Sequence, residues 1–111
     1  MHELGLCEAI VGAIEQRAKD RSVARVRVRV GSFHHVHPEA FEQSFLMAAT
    51  GSVAEDAVAE LVMIPARGRC RACGADFESR DPLGICPECG GVDVGFIGGD
   101  ELILESIEYR A

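Results

Sequence analysis

Four cysteines in the second half of the chain have the spacing of a metal site. They form two Cys-x-x-Cys pairs, and a glycine follows each pair. Such a turn directs two sulfur atoms at one ion, and the glycine tolerates the positive φ that the turn often needs. Four thiolates in a tetrahedral array suit Zn²⁺ and leave no open position for catalysis. We therefore expect a structural zinc ion to be held by Cys70, Cys73, Cys86 and Cys89.

Two other chemistries use Cys-x-x-Cys. A rubredoxin-like site holds iron with the same four ligands, and a thioredoxin-like dithiol uses one such pair at a helix start in a βαβ context. That context is absent here, and zinc is favoured over iron. The 12 residues between Cys73 and Cys86 are compatible with a ribbon of short hairpins. Since metal binding supplies the folding free energy of such a module, we expect its metal-free form to be unfolded or loose.

Met1, His2 and Glu3 offer a second and different metal-binding pattern. In a chain with a free start, the α-amine of Met1, the deprotonated amide of His2 and the His2 imidazole close two fused chelate rings around one ion. The amide of Glu3 can take the fourth place. Planar coordination by nitrogen alone suits Ni²⁺ or Cu²⁺ and does not suit Zn²⁺. By position alone, a surface histidine near a frayed terminus is the simpler interpretation of His2.

The elements that must position these residues follow from apolar periodicity. Apolar residues recur at helical spacing from Leu4 to Lys19, which predicts an amphipathic helix. Valine and arginine alternate from Ala24 to Val30, which predicts a half-buried strand that ends at Gly31. A second helix is predicted from Pro38 to the residue before Gly51, because proline suits the first helical position.

These elements predict an α+β fold with an insertion. Two further strands are expected at roughly 57–64 and 101–109, so that two helices cover one face of a three-stranded mixed sheet. Residues 67–96 contain the four cysteines and little aliphatic content, so they cannot build an adequate hydrophobic core. We therefore predict a discontinuous α/β domain at 1–66 and 97–111 and an inserted four-cysteine zinc-ribbon module at 67–96.

The same periodicity assigns buried and exposed faces. The predicted inner faces are Leu4, Cys7, Ile10, Val11, Ile14 and Ala18 on the first helix, Phe41, Phe45, Ala48 and Ala49 on the second, and Val26, Val28 and Val30 on the first strand. Cys7 is thus expected to act as a small core hydrophobe outside the zinc set. The alternating Arg25, Arg27 and Arg29, with Glu105 and Glu108 on the last strand, are expected to face solvent.

Composition and charge exclude several classes of protein. With 48% apolar and 26% charged residues and a mean hydropathy of +0.11, the chain is typical of a globular protein. No apolar run approaches the ~20 residues that a membrane span requires, and the first residues have no basic segment typical of a secretory signal, so we expect a cytoplasmic protein. A net charge of −7 disfavours binding to nucleic acid.

No nucleotide-hydrolysing or proteolytic motif occurs in the sequence. There is no G-x-S-x-G, no H-E-x-x-H and no P-loop, and Lys19 is the only lysine. We therefore expect a protein that is not an enzyme. If metal release is coupled to nucleotide hydrolysis, a partner must supply the NTPase.

The combination of these motifs resembles a known family. Over essentially all 111 residues, the chain resembles the HypA/HybF family of hydrogenase maturation factors. The resemblance rests on the start Met1-His2-Glu3-Leu4, on the inserted cysteine pairs, and on Gly99-Asp100-Glu101-Leu102 before a last strand that ends Ser106-Ile107-Glu108. The members are nickel metallochaperones. The resemblance implies nickel binding at Met1, His2 and Glu3, and structural zinc at Cys70, Cys73, Cys86 and Cys89.

The resemblance also implies partners. The family delivers nickel to the precursor of the [NiFe]-hydrogenase large subunit together with a HypB-type GTPase, and some members also serve urease maturation. A monomer or a homodimer is compatible with it. The chain departs from the family at Phe33-His34-His35-Val36-His37-Pro38, where small or polar residues are usual; extra nitrogen ligands and an exposed loop both remain open, and we assign no role. The alternative function is a zinc-ribbon adaptor for protein or nucleic-acid partners.

Overall fold

The computed structural model describes residues 3–111, and Met1 and His2 lie outside the described residues. Its elements are α1 (Glu3–Ala18), β1 (Val23–Gly31), a short 3-10 helix (Ser32–His34), α2 (Pro38–Ala49), β2 (Val58–Ile64), β3 (Ala66–Cys70), β4 (Asp76–Ser79), β5 (Val94–Ile97) and β6 (Leu102–Tyr109). The two predicted helices and three predicted strands are confirmed, with ends that differ by at most one residue. Across the described residues, neither helix has the length and apolar character that a bilayer crossing requires.

The strands form two small sheets, with orders β2-β1-β6 and β4-β3-β5. In the first, the amide of Gly31 donates to the carbonyl of Glu101 (2.8 Å), and the amide of Arg110 donates to the carbonyl of Ser22 (3.0 Å). The end of β1 therefore lies beside the start of β6, so these two strands are antiparallel. The predicted fold class is confirmed: two helices, a mixed three-stranded sheet and an inserted cysteine ribbon between β2 and β6.

Compactness divides the chain into two units. The first unit comprises the described part of 1–29 together with 36–62 and 103–111, and the second comprises 30–35 and 63–102. The short segment 30–35 thus belongs with the cysteine ribbon, an association that no local sequence pattern indicates. The domain limits expected from the sequence, at 66/67 and 96/97, stay a prediction.

The core of the first unit lies where the helices meet. Phe41 and Phe45 are buried on α2 with stacked rings 6.3 Å apart, and Ile14 on α1 is fully buried. The predicted inner face of α1 needs a correction, because Leu4 is 39% exposed while Leu6 is fully buried. These two leucines flank the apolar stripe of α1 on opposite edges, and periodicity does not reveal which edge the neighbouring elements cover. On α2, the predicted Ala48 is only half-buried.

The outer face of the first sheet carries a ladder of ion pairs. Its arginines have side chains 43–49% exposed and lie 3.1–3.7 Å from carboxylates on both neighbouring strands. The pairs join Arg25, Arg27 and Arg29 with Glu60, Glu105 and Glu108. The prediction that this face meets solvent is confirmed. Exposed pairs of this kind contribute little stability each, typically below ~1 kcal/mol.

The second unit has few buried apolar side chains. Its buried residues with such side chains are Val30, Ala66, Cys70 and Cys86. The aromatic rings of Phe33 and Phe96 meet edge to face with centroids 5.2 Å apart. A unit of this size with so small a core needs another source of stability.

Candidate metal centre

The cysteines lie on two turns that have the same backbone structure. The amide of Cys70 donates to the carbonyl of Ala75 (2.9 Å), and the amide of Gly74 donates to the carbonyl of Cys70 (2.8 Å). Equivalent bonds join the amide of Cys86 to the carbonyl of Gly91 (2.8 Å) and the amide of Gly90 to the carbonyl of Cys86 (2.9 Å). Each turn therefore presents its two sulfur atoms in the same way.

A glycine in the left-handed region ends each turn. Gly74 has φ of 77° and Gly90 has φ of 73°. A residue with a Cβ adopts this conformation only at a cost in free energy, and glycine adopts it readily. The sequence-based expectation that these glycines serve the turn is confirmed.

The two turns bring all four sulfur atoms together. The Sγ atoms of Cys70 and Cys89 are 3.7 Å apart, those of Cys73 and Cys86 are 3.6 Å apart, and all four lie within 4.8 Å of one another. A tetrahedral ion with Zn–S bonds of about 2.3 Å separates its ligands by about 3.8 Å. The sulfur cluster therefore has the dimensions of a tetrahedral thiolate site, and its four ligands leave no open position for a reactant.

Backbone amides support negative charge on the second pair of sulfurs. The Sγ of Cys86 accepts from the amides of Cys89 (3.5 Å) and Glu88 (3.4 Å), and the Sγ of Cys89 accepts from the amide of Gly91 (3.3 Å). Donation from the Cys89 amide lowers the pKa of the Cys86 thiol most; burial opposes it, the Glu88 amide adds to it, and the pKa falls to about 7. Amide donation to the sulfur is therefore built into the second turn.

Cys73 and Cys89 differ from Cys86. At each of them, donation from a backbone amide lowers the pKa of the thiol, but the neighbouring sulfurs and burial outweigh it. The pKa of Cys73 is raised to about 12, and that of Cys89 is also raised. Four thiols this close cannot all lose their protons without a compensating cation. The donor set therefore suits a soft divalent ion that takes the place of these protons.

The arginines near the first turn do not contact the sulfurs through any hydrogen bond within 3–111. Arg71 forms an ion pair with Asp93 at 2.8 Å, and both side chains are more than 60% exposed. Arg67 and Arg69 are also exposed. These exposed arginines therefore meet solvent rather than compensate the charge of the thiolates.

Glu3 is the part of the predicted nickel terminus that the structure describes. It is the first residue of α1, and its Oε2 accepts from the backbone amide of His37 at 3.3 Å, immediately before α2 begins. This contact links the start of α1 to the start of α2. Periodicity carries no signal for it, because the two residues are 34 positions apart.

The three histidines of residues 34–37 have separate surroundings. A ring nitrogen of His34 lies 2.8 Å from the carbonyl of Asp100, His35 has left-handed φ of 52° after the 3-10 helix, and His37 precedes the first residue of α2. Within residues 3–111, the group of histidine, cysteine and acidic side chains close enough to share an ion consists of the four ribbon cysteines. The structure therefore gives these histidines no common site.

Cys7 is a core residue, as its place in the helical pattern predicts. It is fully buried, and its thiol donates to the carbonyl of Phe41 at 3.6 Å. Burial, with a smaller contribution from the charge of Glu3, raises the pKa of this thiol to about 11. A thiol that is buried and protonated is a poor nucleophile.

We expect Cys7 to resist alkylation in the native protein. In zinc-loaded protein at pH 8, iodoacetamide should modify Cys7 at least a hundredfold more slowly than in protein unfolded in guanidinium chloride, as measured by mass spectrometry of the peptide containing it. Because the thiol ionises near pH 9.0 when unfolded and near 11 when folded, the free energy of unfolding should also fall as pH rises through that window. Rapid native alkylation of Cys7 would contradict its placement in the core.

The chain combines two helices and a three-stranded sheet with an inserted four-cysteine ribbon. This combination defines a small α+β protein with a zinc-ribbon-like metal site. The chain belongs to the HypA family, because the family model described as "Hydrogenase/urease nickel incorporation, metallochaperone, hypA" matches residues 1–109. The resemblance that the motifs indicate is thereby confirmed. The family is one of nickel metallochaperones for hydrogenase maturation.

Individual relatives match over nearly their whole length. The hydrogenase maturation factor HypA of Trichodesmium erythraeum is 35% identical over 110 residues, which cover 99% of this chain and 96% of the relative. The protein of the same name from Trichormus variabilis is 38% identical with the same coverage. The solution structure of the Ni metallochaperone HypA from Helicobacter pylori is similar, with a TM-score of 0.68, 26% identity and coverage of 100% of this chain and 99% of that one.

Proposed function

We propose that this protein is a nickel carrier that binds Ni²⁺ at Met1, His2 and Glu3 and holds structural Zn²⁺ at Cys70, Cys73, Cys86 and Cys89. The observation that carries the proposal is the family match, which starts at residue 1 and includes both motifs. The ion at the terminus is cargo, and the ion in the ribbon stays with the protein. The two sites differ in chemistry, because one offers nitrogen in a plane and the other sulfur in a tetrahedron.

The dimensions of the sulfur cluster support the zinc assignment. Sulfur separations of 3.6 and 3.7 Å agree with the ~3.8 Å of a tetrahedral Zn²⁺ site. Bound there, the ion supplies structural cross-linking and no reactive position. The thiolates and their amide donors hold the two turns together, in place of the hydrophobic core that this unit lacks.

Nickel transfer by this protein is ligand exchange, with no bond made or broken in a substrate. Protons compete for the amine and the imidazole and oppose loss of the amide proton, so nickel affinity should fall as pH falls. Cu²⁺ binds such nitrogen ligands more tightly than Ni²⁺. Preference for nickel therefore depends on metal availability and on recognition by partners.

The partners that fit this role are a HypB-type GTPase and the precursor of the [NiFe]-hydrogenase large subunit, with urease maturation proteins as further recipients. Relatives with the name hydrogenase maturation factor support the hydrogenase assignment. We also propose that the carrier acts in the cytoplasm, is a monomer or a homodimer, and consists of a nickel domain at 1–66 and 97–111 with an inserted zinc module at 67–96.

Substitution of one imidazole tests the nickel assignment. The His2→Ala protein should bind Ni²⁺ at least about a hundredfold more weakly than the native protein at pH 7.5, because the six-membered chelate ring is lost, while it retains one equivalent of zinc. Isothermal titration with Ni²⁺ measures the first quantity and elemental analysis the second. The control is His35→Asn, which keeps a residue that tolerates left-handed φ. Unchanged nickel affinity in His2→Ala, or an equal loss in the control, contradicts the proposal.

A further inference from the structure

One face of the ribbon sheet presents exposed arginines on its central strand. By the strand register, Arg67 lies opposite Glu78 on β4 and Ile97 on β5, and Arg69 lies opposite Asp76 and Gly95. Ile97 is 79% exposed. Neither Arg67 nor Arg69 has an ion pair or a side-chain hydrogen bond to any residue of 3–111. On this face, β4 therefore carries acidic residues, β3 carries arginines, and β5 carries an apolar residue and a glycine.

Gly95 leaves space on the β5 side of this face, because it has no side chain. A Cβ at that position would lie 2.7 Å from Nη2 of Arg71, so the Arg71 guanidinium extends across β5 above the glycine. Nη1 of the same group forms an ion pair with Asp93 at 2.8 Å. The result is a depression of about 250 Å³ lined by Arg69, Arg71, Gly95, Phe96 and Ile97. Its lining includes two cationic side chains and no carboxylate.

The outer edge of β5 has backbone groups available for pairing. In the order β4-β3-β5, β5 is an edge strand. The amide of Arg71 donates to the carbonyl of Asp93, so by alternation Gly95 and Ile97 direct their backbone groups to β3, whereas Val94 and Phe96 direct theirs outward. Within residues 3–111, neither Val94 nor Phe96 forms a backbone hydrogen bond beyond the sheet. A strand edge whose backbone groups have no partner pairs readily with an extended segment.

We propose that this face receives an extended acidic segment of a partner protein, which pairs with β5 and sets a carboxylate against Arg69 and Arg71 and an aliphatic side chain against Ile97. A strand beside β5 lies about 9.6 Å from β3, two strand spacings away. Because Gly95 has no side chain, the Arg71 guanidinium extends across β5 and reaches toward a glutamate on the added strand. Residues two apart in a strand share a face, so the motif recognised has the form Glu-x-aliphatic.

The charge distribution favours an acidic peptide over a nucleic acid. Asp76 and Glu78 lie directly opposite the arginines on β4 and repel a polyphosphate chain that crosses the face. A single carboxylate on the β5 side avoids them, and the apolar Ile97 matches an aliphatic side chain. The inference deepens the proposed function, because it gives the chemistry of a docking partner. It rests on that function, because a nickel carrier must dock on the protein that receives its cargo.

A pair of capped peptides tests the inference on the zinc-loaded full chain without nickel. The probes are acetyl-Thr-Glu-Thr-Leu-Thr-amide and its lysine counterpart acetyl-Thr-Lys-Thr-Leu-Thr-amide, titrated into ¹⁵N-labelled protein. We expect the glutamate peptide to bind at least about tenfold more tightly, to shift the amide signals of residues 94–97, and to slow hydrogen exchange at Val94 and Phe96. Arg71→Gln and Gly95→Ala should each weaken binding at least about fivefold.

Gly95→Ala is the sharper variant because it displaces only the flexible end of Arg71 and demands no unusual φ. The matched control is Arg80→Gln, which removes an exposed arginine of the same module that follows the end of β4 and does not line the depression. No saturable binding at millimolar peptide, equal affinity for both peptides, an equal effect of the control, or tighter binding of a single-stranded oligonucleotide overturns the inference. Because no nickel is present, such a failure leaves the nickel proposal untouched.

Discussion

The Cys86→Ala protein is expected to lose the ordered structure of the cysteine ribbon, residues 66–97, in the second unit. The core of this unit consists of four buried residues with apolar side chains. Two of these four are cysteines that bind zinc in our proposal. Zinc binding to structural cysteine sites supplies about 10–16 kcal/mol at neutral pH, more than the few kcal/mol that so small a core contributes. Loss of one thiolate should therefore leave the ribbon unfolded, whereas the helices and the first sheet have a core of their own.

Nuclear magnetic resonance of the labelled protein measures this result residue by residue. The amide signals of 66–97 should collapse into the narrow range of an unfolded chain, those of α1 and α2 should keep their dispersion, and bound zinc should fall below one equivalent. Ala72→Ser, an exposed substitution inside the first turn, is the matched control and should change neither quantity. A dispersed, native-like spectrum for the ribbon of Cys86→Ala would show that the sulfur cluster does not hold it.

Gly31→Ala should lower the free energy of unfolding by about 3 kcal/mol, the upper end of the range for overpacking. A Cβ at Gly31 would overlap the backbone of Gly99 and lie 2.6 Å from the amide nitrogen of Asp100. The φ of Gly31 is an ordinary −64°, so the cost comes from lack of space. Because the obstructing atoms are backbone, and Phe33 donates its amide to Gly99 there (2.8 Å), no side-chain rotation relieves the overlap.

Thermal and denaturant unfolding of the zinc-loaded protein check this value. The melting temperature of Gly31→Ala should fall by more than about 10 °C. Gly12→Ala is the control, because Gly12 lies within α1 with open space around its Cα, and alanine there should add about 0.5–1 kcal/mol. Equal stability of Gly31→Ala and native protein would contradict the close approach of the two backbone segments.

Local patterns were sufficient to predict most of the elements and the cysteine site. The alternation of valine and arginine on β1 and the Cys-x-x-Cys-Gly turns depend on neighbours within a few residues, so their conformation follows from the sequence around them. The burial of Val26, Val28 and Val30 and the positive φ of Gly74 and Gly90 agree with the patterns.

Features that depend on distant contacts were not predictable in the same way. The ion pairs of Arg25 with Glu60 and Glu108 require the strand order β2-β1-β6, which periodicity does not specify. The exposure of Leu4 in place of Leu6 depends on which edge of α1 is covered. The contact between Glu3 and the amide of His37 likewise joins two helix starts far apart in the chain.

The central claim is that nickel binds at the chain start, and blocking the α-amine of Met1 tests it most directly. Nickel is titrated into the native protein and into protein that carries an acetyl group on the α-amine of Met1, and absorbance of planar nickel and bound zinc are both recorded. We predict tight binding of one nickel ion by the native protein, at least about a hundredfold weaker binding by the acetylated one, and one equivalent of zinc in both. Equal nickel affinity and equal spectra for the two proteins would contradict the account.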